Sequence, residues 1–183
     1  MTKIGVFVGS LRKDSWNRKV ANELVSLLPE GYETEFFEIG NLPLYNEDWD
    51  QSGSVPEVVQ DFRKAVAGVD AFIWTTPEYN RGVPGVLKNA IDVASKPMQD
   101  AVFAGKPSLI ASASTGSMGG FGSNHHLRQT LVFVNSPVVA QPEIYLSFID
   151  KAYDESGKMK AGTRDFLAKG IEAFTKLIGH YQA

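Results

Sequence analysis

Ile4-Gly5-Val6-Phe7-Val8-Gly9-Ser10-Leu11-Arg12-Lys13-Asp14-Ser15-Trp16-Asn17 is the stretch from which the rest of the chain is best read. An apolar run that stops at Gly-Ser is the pattern of a strand buried on both faces, which a parallel sheet requires and a half-solvated one does not. Val20, Leu24, Leu27 and Leu28 follow at helical spacing, and Pro29-Glu30-Gly31 ends the segment. The first unit is therefore strand, polar turn, helix.

The same unit recurs along the chain. Tyr32–Ile39 alternates polar and apolar residues, as expected of a more exposed edge strand, and Gly40 to Pro56 is expected to be a long loop. Val58, Phe62, Ala65 and Val66 mark one face of a second helix. Asp70–Thr75 is a second buried strand, running into Pro77-Glu78-Tyr79-Asn80-Arg81-Gly82. Pro84 suits the start of the next helix, where no amide donor is needed, and Val86, Leu87, Ala90, Ile91 and Ala94 carry that helix on. Ser108–Ala113 is a further strand, ending in Ser114-Thr115-Gly116. A helix with Leu127, Leu131 and Val134 follows, and Val138-Val139-Ala140 is expected to open the last strand. Phe166, Leu167, Ile171, Phe174, Leu177 and Ile178 define a final amphipathic helix. Strand–helix alternation of this kind predicts an α/β doubly wound five-stranded parallel sheet with helices on both faces, and the flavodoxin-like order 2-1-3-4-5. Residues 1–183 are expected to form a single domain. In such a sheet the ligand crevice lies beyond the carboxyl ends of the strands, so the loops after Val8, Thr75 and Ala113 should converge.

Composition narrows the chemistry. The 183 residues include no cysteine, which excludes disulfides, thiolate catalysis and cysteine-held iron–sulfur clusters. Redox work by such a chain needs a bound cofactor. A formal charge of −3 gives no basic excess for nucleic acid or an anionic membrane. No apolar run reaches membrane-spanning length, and the N-terminal segment does not read as a signal peptide, so the cytoplasm is the expected location.

The loop after the first strand places Ser10, Arg12, Lys13, Ser15 and Asn17 at the mouth of a helix. Helix N-terminal amides bind anions, and hydroxyls with a guanidinium complete a phosphate cradle. Ser15 or Asp14 as a helix cap is the plainer reading, and the two are compatible. The Walker spacing is absent. After the third strand, two prolines and two glycines within Thr76–Gly85 fix an unusual backbone path, which either presents main-chain groups to a planar heterocycle or simply turns strand into helix. Gly116-Ser117-Met118-Gly119-Gly120-Phe121-Gly122 lacks the Gly-x-Gly-x-x-Gly spacing of a dinucleotide fingerprint and reads as a mobile loop in which glycine allows close backbone approach. His125-His126 point in different directions on a helix, so no metal site is expected. Trp16, Trp49 and Trp74 read as core or rim packing, Phe62 and Phe166 as core.

Gly-Ser-Leu-Arg-x-x-Ser-x-Asn at 9–17, Pro-Glu-Tyr-Asn at 77–80 and Pro-Gly-x-Leu-Lys-Asn-Ala-Ile-Asp at 84–92 together resemble the NADPH-dependent FMN reductase family. Gly119-Gly120 followed by His126-Leu127-Arg128-Gln129-Thr130-Leu131 adds a further match, and the resemblance leans to the bacterial quinone and chromate reductase members. It implies non-covalent FMN with NADPH or NADH as co-substrate, and a small-molecule acceptor such as a quinone, flavin, azo compound or chromate. It implies that Ser10, Arg12, Ser15 and Asn17 bind the FMN phosphate. Pro77, Glu78, Tyr79 and Asn80 would line the isoalloxazine, largely through backbone atoms, and Ala113, Ser114, Thr115 and Gly116 would close the site. It also implies a homodimer or homotetramer, for which aromatic residues of the 40–56 loop, including Tyr45 and Trp49, offer independent support unless they cover the chain's own core. The family usually carries serine at position 82 and a bulkier or aromatic residue at 81. Gly82 and Arg81 depart from that pattern near the expected acceptor mouth, so acceptor preference does not carry over. The motifs hold positioning groups and no nucleophile–base pair, as hydride transfer on a flavin requires. A flavodoxin-type electron carrier and a non-flavin domain on the same fold are the competing readings.

Overall fold

Five parallel strands form one sheet in the order β2-β1-β3-β4-β5 in the computed structural model, which describes residues 1–97 and 102–182. β1 (Thr2–Val8), β3 (Ala71–Thr76) and β4 (Ser108–Ala113) are the central strands, and every residue of β3 and β4 is buried. β2 (Tyr32–Phe36) and β5 (Ile144–Leu146) are the edges; β2 is only partly covered, which is why its sequence alternates. Val8 pairs with Thr75 and Thr76 with Ser112, so the central strands release their loops at one level along one edge.

Successive residues of β1 feed opposite faces. Ile4 and Val6 pack with Ile73 and Leu109 beneath α1 (Trp16–Ser26) and α6 (Ala161–Gln182), where Val20, Leu24, Leu167, Ile171, Phe174 and Ile178 complete that core. Phe7, Phe72, Trp74 and Ile110 face the other way, beneath α3 (Glu57–Ala67), α4 (Gly85–Ala94) and α5 (Phe121–Phe133). Phe7 and Trp74 stack at 4.1 Å and 9°, and the Trp74 indole donates to Ser108 Oγ at 2.9 Å, so its one polar atom is satisfied inside the core. Phe62 belongs to this core and Phe166 packs against the other one, as their spacing implies.

Three expectations need correction. The 40–56 segment contains a short helix, α2 (Asp48–Ser52), and is tied down rather than loose. Asn89 Oδ1 accepts the Tyr45 N–H at 2.9 Å, its Nδ2 donates to Pro43 O at 3.0 Å, and Arg63 holds Asp50 through both oxygens at 2.6 and 3.0 Å. Tyr45 and Trp49 pack against the second core, so they cover the chain's own interior and lend no support to a subunit interface. The last strand is Ile144–Leu146, not Val138–Ala140. Val138 makes one parallel bridge with Ser108, and the ladder then breaks, because Pro137 and Pro142 on either side have no amide to donate. In α3 the buried stripe is Val59, Phe62 and Val66, one residue displaced from Val58 at its start. Among the described residues no helix is long and apolar enough to cross a membrane.

Candidate functional site

The three expected loops meet. The Gly9 N–H donates to Thr75 O at 2.8 Å, binding the end of β1 to the end of β3, and Asn17 Nδ2 donates to Ala113 O at 3.3 Å, binding the start of α1 to the end of β4. Between them lies a cleft of about 170 Å³. Ser10, Arg12, Ser15 and Asn17 line it from the first loop, Pro77, Glu78 and Tyr79 from the second, and Ala113, Ser114 and Thr115 from the third. Asn80 and Gly116 do not: Asn80 sits at the tip of a hairpin, and Gly116 is an exposed bend residue. Trp16, read as packing, is a wall of the cleft as well as a partner of Tyr153 at 5.3 Å.

The polar groups are oriented by local structure. Ser15 is the N-cap of α1, its Oγ accepting the Arg18 N–H at 3.2 Å, while Ser10 Oγ accepts the Arg12 N–H at 3.4 Å. Both hydroxyls thus act as local acceptors, and each O–H remains a donor for a ligand, so the cap and anion readings of this loop coexist. Asn17 is 4% exposed, and its Oδ1 is buried with no partner. A buried acceptor left unpaired costs about 1–3 kcal/mol, so the position fits a ligand that brings a hydroxyl. Arg12 is exposed and makes no ion pair among the described residues.

Beyond Arg12 and Tyr79 the cleft continues into an apolar hollow of about 460 Å³, lined by Leu11, Pro84 and Val86. These were missed in the sequence. The signal was available in Leu11, a large apolar side chain inside a polar loop that is 60% exposed. A larger groove of about 670 Å³ runs along α4 and α5 past Lys88, Asp92 and Phe133; it has polar groups of its own in Ser95, Gln129, Thr130 and Asn135, but lies apart from the three loops and from the helix N-terminus with its guanidinium that they gather. The convergent cleft is the better candidate on chemistry, despite its smaller volume.

The second loop folds into a tight hairpin. Tyr79 and Gly82 exchange N–H···O bonds of 3.2 and 3.0 Å, across Asn80 and Arg81 at φ 51° and 65°. Positive φ at both central positions suits asparagine better than arginine, so the turn stores local strain at Arg81. The Glu78 side chain does not face the cleft alone: Oε2 accepts from Gly122 N at 2.7 Å and Ser123 N at 3.3 Å, and Oε1 pairs with Arg81 at 3.1 Å. His126 Nδ1 accepts the Val83 N–H at 3.3 Å, whereas His125 Nε2 meets the Tyr145 hydroxyl at 2.8 Å. Burial, then the nearby Glu143, pushes Tyr145 up to about 12, leaving it a neutral phenol at ordinary pH. The two histidines diverge, and no three His, Asp or Glu side chains gather as a metal site among the described residues. No histidine lines the cleft, so it offers donors and apolar walls rather than an acid–base pair.

Residues 2–151 match the family described as NADPH-dependent FMN reductase. A quinone reductase of Pseudomonas putida is 46% identical over 175 residues, 96% of this chain and 94% of its own. A 2-hydroxy-1,4-benzoquinone reductase of a Burkholderia species is 41% identical over 173 residues, 94% of this chain and 93% of its own. FerB of Paracoccus denitrificans, a flavoenzyme NAD(P)H:(acceptor) oxidoreductase, superimposes with a TM-score of 0.90 at 34% identity, covering 99% of each chain.

Proposed function

We propose a function from one premise: the chain belongs to the NADPH-dependent FMN reductase family. It is an oxidoreductase, an FMN-dependent NAD(P)H reductase of quinones and flavins. The observation that carries the reading on this chain's own residues is the convergence of Ser10, Arg12, Ser15 and Asn17 with Pro77, Tyr79 and Ala113–Thr115 on one polar cleft that opens into an apolar one.

The residues fit a phosphorylated flavin. Hydroxyl donors at Ser10 and Ser15 and the Arg12 guanidinium suit the phosphate, and the unpaired Asn17 Oδ1 suits a ribityl hydroxyl. Leu11, Tyr79, Pro84 and Val86 offer apolar surface for a ring larger than the polar cleft could hold. FMN, when bound, supplies a carrier that takes a hydride from a nicotinamide and returns electrons to an acceptor. The chain's part is to hold the group without a covalent bond, to orient it through the loop backbone, and to leave one side open to exchanging partners. No side chain of the cleft is asked to move a proton. Azo compounds and chromate are further acceptors in this reading, since an open flavin face discriminates weakly. Residues 1–183 act as one FMN-binding unit, because the two cores together draw on the chain from Ile4 to Ile178 and the second core, from Phe7 to Leu131, lies within the span of the first. Val132 and Phe133, 69% and 76% exposed beside the α4–α5 groove, support a homodimer or homotetramer. A nicotinamide-fed reaction suits the cytoplasm.

The test is the absorbance spectrum of the purified protein. Oxidised-flavin bands should bleach with NADPH or NADH and return when a quinone is added. A colourless protein that fails to take up FMN would overturn the assignment, and a coloured one that bleaches only with a separate reductase would be an electron carrier.

A further inference from the structure

α5 begins without a cap of its own. Its N-cap position is Gly120, at φ 78°, and a Cβ there would stand 2.8 Å from Cβ of Ser112 on β4. The site is therefore closed to the serine, threonine, aspartate or asparagine that ordinarily accepts the first helical N–H groups. Those donors need an acceptor from another segment. Glu78, in the loop after β3, provides it through Oε2 at 2.7 Å to Gly122 N and 3.3 Å to Ser123 N. An added Cβ at Gly122 would lie 3.0 Å from the same oxygen, so the cap is packed tightly against the helix start. A carboxylate here is favoured by the helix dipole, and its bonds to the amides are charge-assisted.

The same helix takes a second hold on the loop through His126, whose Nδ1 accepts the Val83 N–H at 3.3 Å. The Tyr79–Gly82 hairpin lies between these two attachments. Its internal bonds shape the turn but do not locate it relative to the cleft; the attachments to α5 do. The Glu78–Arg81 pair adds little to this, since Arg81 is 72% exposed at its side chain and such pairs are screened.

We infer that Glu78 is a positioning residue: its carboxylate, fixed by the N-terminal amides of α5, sets where Pro77 and Tyr79 stand against the cofactor cleft, and it is not itself a cofactor ligand. The inference rests on the FMN-binding reading above.

Apo-protein titrated with FMN by fluorescence quenching tests it, together with the visible circular dichroism of the bound flavin and amide hydrogen exchange at Gly122 and Ser123 without cofactor. Glu78→Ala should raise the FMN Kd about tenfold, or about 1.4 kcal/mol, alter the visible dichroism, and speed exchange at both amides. Glu78→Gln keeps an oxygen acceptor without the charge and should recover to within roughly threefold of wild type, with dichroism restored. Arg81→Ala should stay within about twofold, as an exposed pair implies. Faster exchange in Glu78→Ala with unchanged FMN affinity and dichroism would reduce Glu78 to a helix cap and overturn the inference. Should the alanine variant not fold, Glu78→Asp takes its place: a carboxylate one methylene short of Gly122 N and Ser123 N should speed exchange at both amides, raise the FMN Kd more than about threefold and alter the dichroism, whereas faster exchange with wild-type affinity and dichroism overturns the inference. Wild-type apo-protein that takes up no FMN would overturn the functional reading and this inference together, whereas uptake unaffected in the variants overturns this inference only.

Discussion

Replacing Arg12 by alanine isolates the phosphate part of the site. Arg12 lines the polar cleft with Ser10 and Ser15, is exposed, and has no ion-pair partner among the described residues. Its removal should therefore leave the fold intact, with a melting temperature within about 2 °C of wild type. A hydrogen bond to a charged group is worth about 1.5–3 kcal/mol, and solvent and salt screen an exposed guanidinium. About 1–2 kcal/mol remains, which raises the FMN Kd roughly 5- to 30-fold. Riboflavin is the internal control, since it carries the ring and ribityl chain without the phosphate. Fluorescence titrations of wild type and Arg12→Ala with each ligand form a double cycle, and the loss should appear with FMN and vanish with riboflavin. It should also shrink as salt rises from about 50 to 500 mM, where the Debye length falls below about 5 Å. Equal weakening of both ligands, or none with FMN at low salt, would refute the phosphate role.

Two further outcomes test the frame around the site. Gly120→Ala forces a side chain into left-handed backbone, at roughly 1–2 kcal/mol, and against Ser112, at roughly 1–3 kcal/mol. Thermal unfolding should then fall by roughly 5–15 °C, and a variant melting within about 2 °C of wild type would contradict the contact. Asp50→Asn breaks the two-bond grip of Arg63, which with Tyr45 holds the 40–56 segment down. The Arg63 hydrogen bond holds Asp50 below its ordinary value despite the opposing effect of burial. That stability is complete above the unfolded carboxylate pKa of about 3.9 and is lost as pH falls through the lower folded value. The variant should be about 1–3 kcal/mol less stable in urea at neutral pH, with the gap narrowing below about pH 4; a gap that stays constant into acid would show the ion pair to be inert.

The α/β order and the loops that converge were legible because they are written locally. Three apolar runs end in polar turns at Ser10, Pro77 and Ser114, and a parallel sheet delivers such turns to one edge whatever the side chains do elsewhere. Most of the candidate cleft followed, since its members lie within a few residues of those strand ends. The misplaced last strand and the hidden helix of the 40–56 segment have a different origin. Val138 has the composition of a strand, but its ladder is cut by prolines on both sides. Tyr45 and Trp49 are aromatic in a loop, and only Asn89 and Arg63, 40 or so residues away or across a helix, determine that they face inward.

By itself, the sequence established the central strands, the longer helices and the turns that carry hydroxyls, amides and cations, because periodicity and turn chemistry act over a few residues. What only the tertiary structure decided was what those side chains do once there. Asn17 is left with an unpaired oxygen. Glu78 turns its carboxylate into the start of a helix that begins 43 positions later, because Gly120 is pressed too closely on Ser112 to carry a cap. Contacts between residues far apart in the chain depend on how whole elements pack, and no local pattern encodes them.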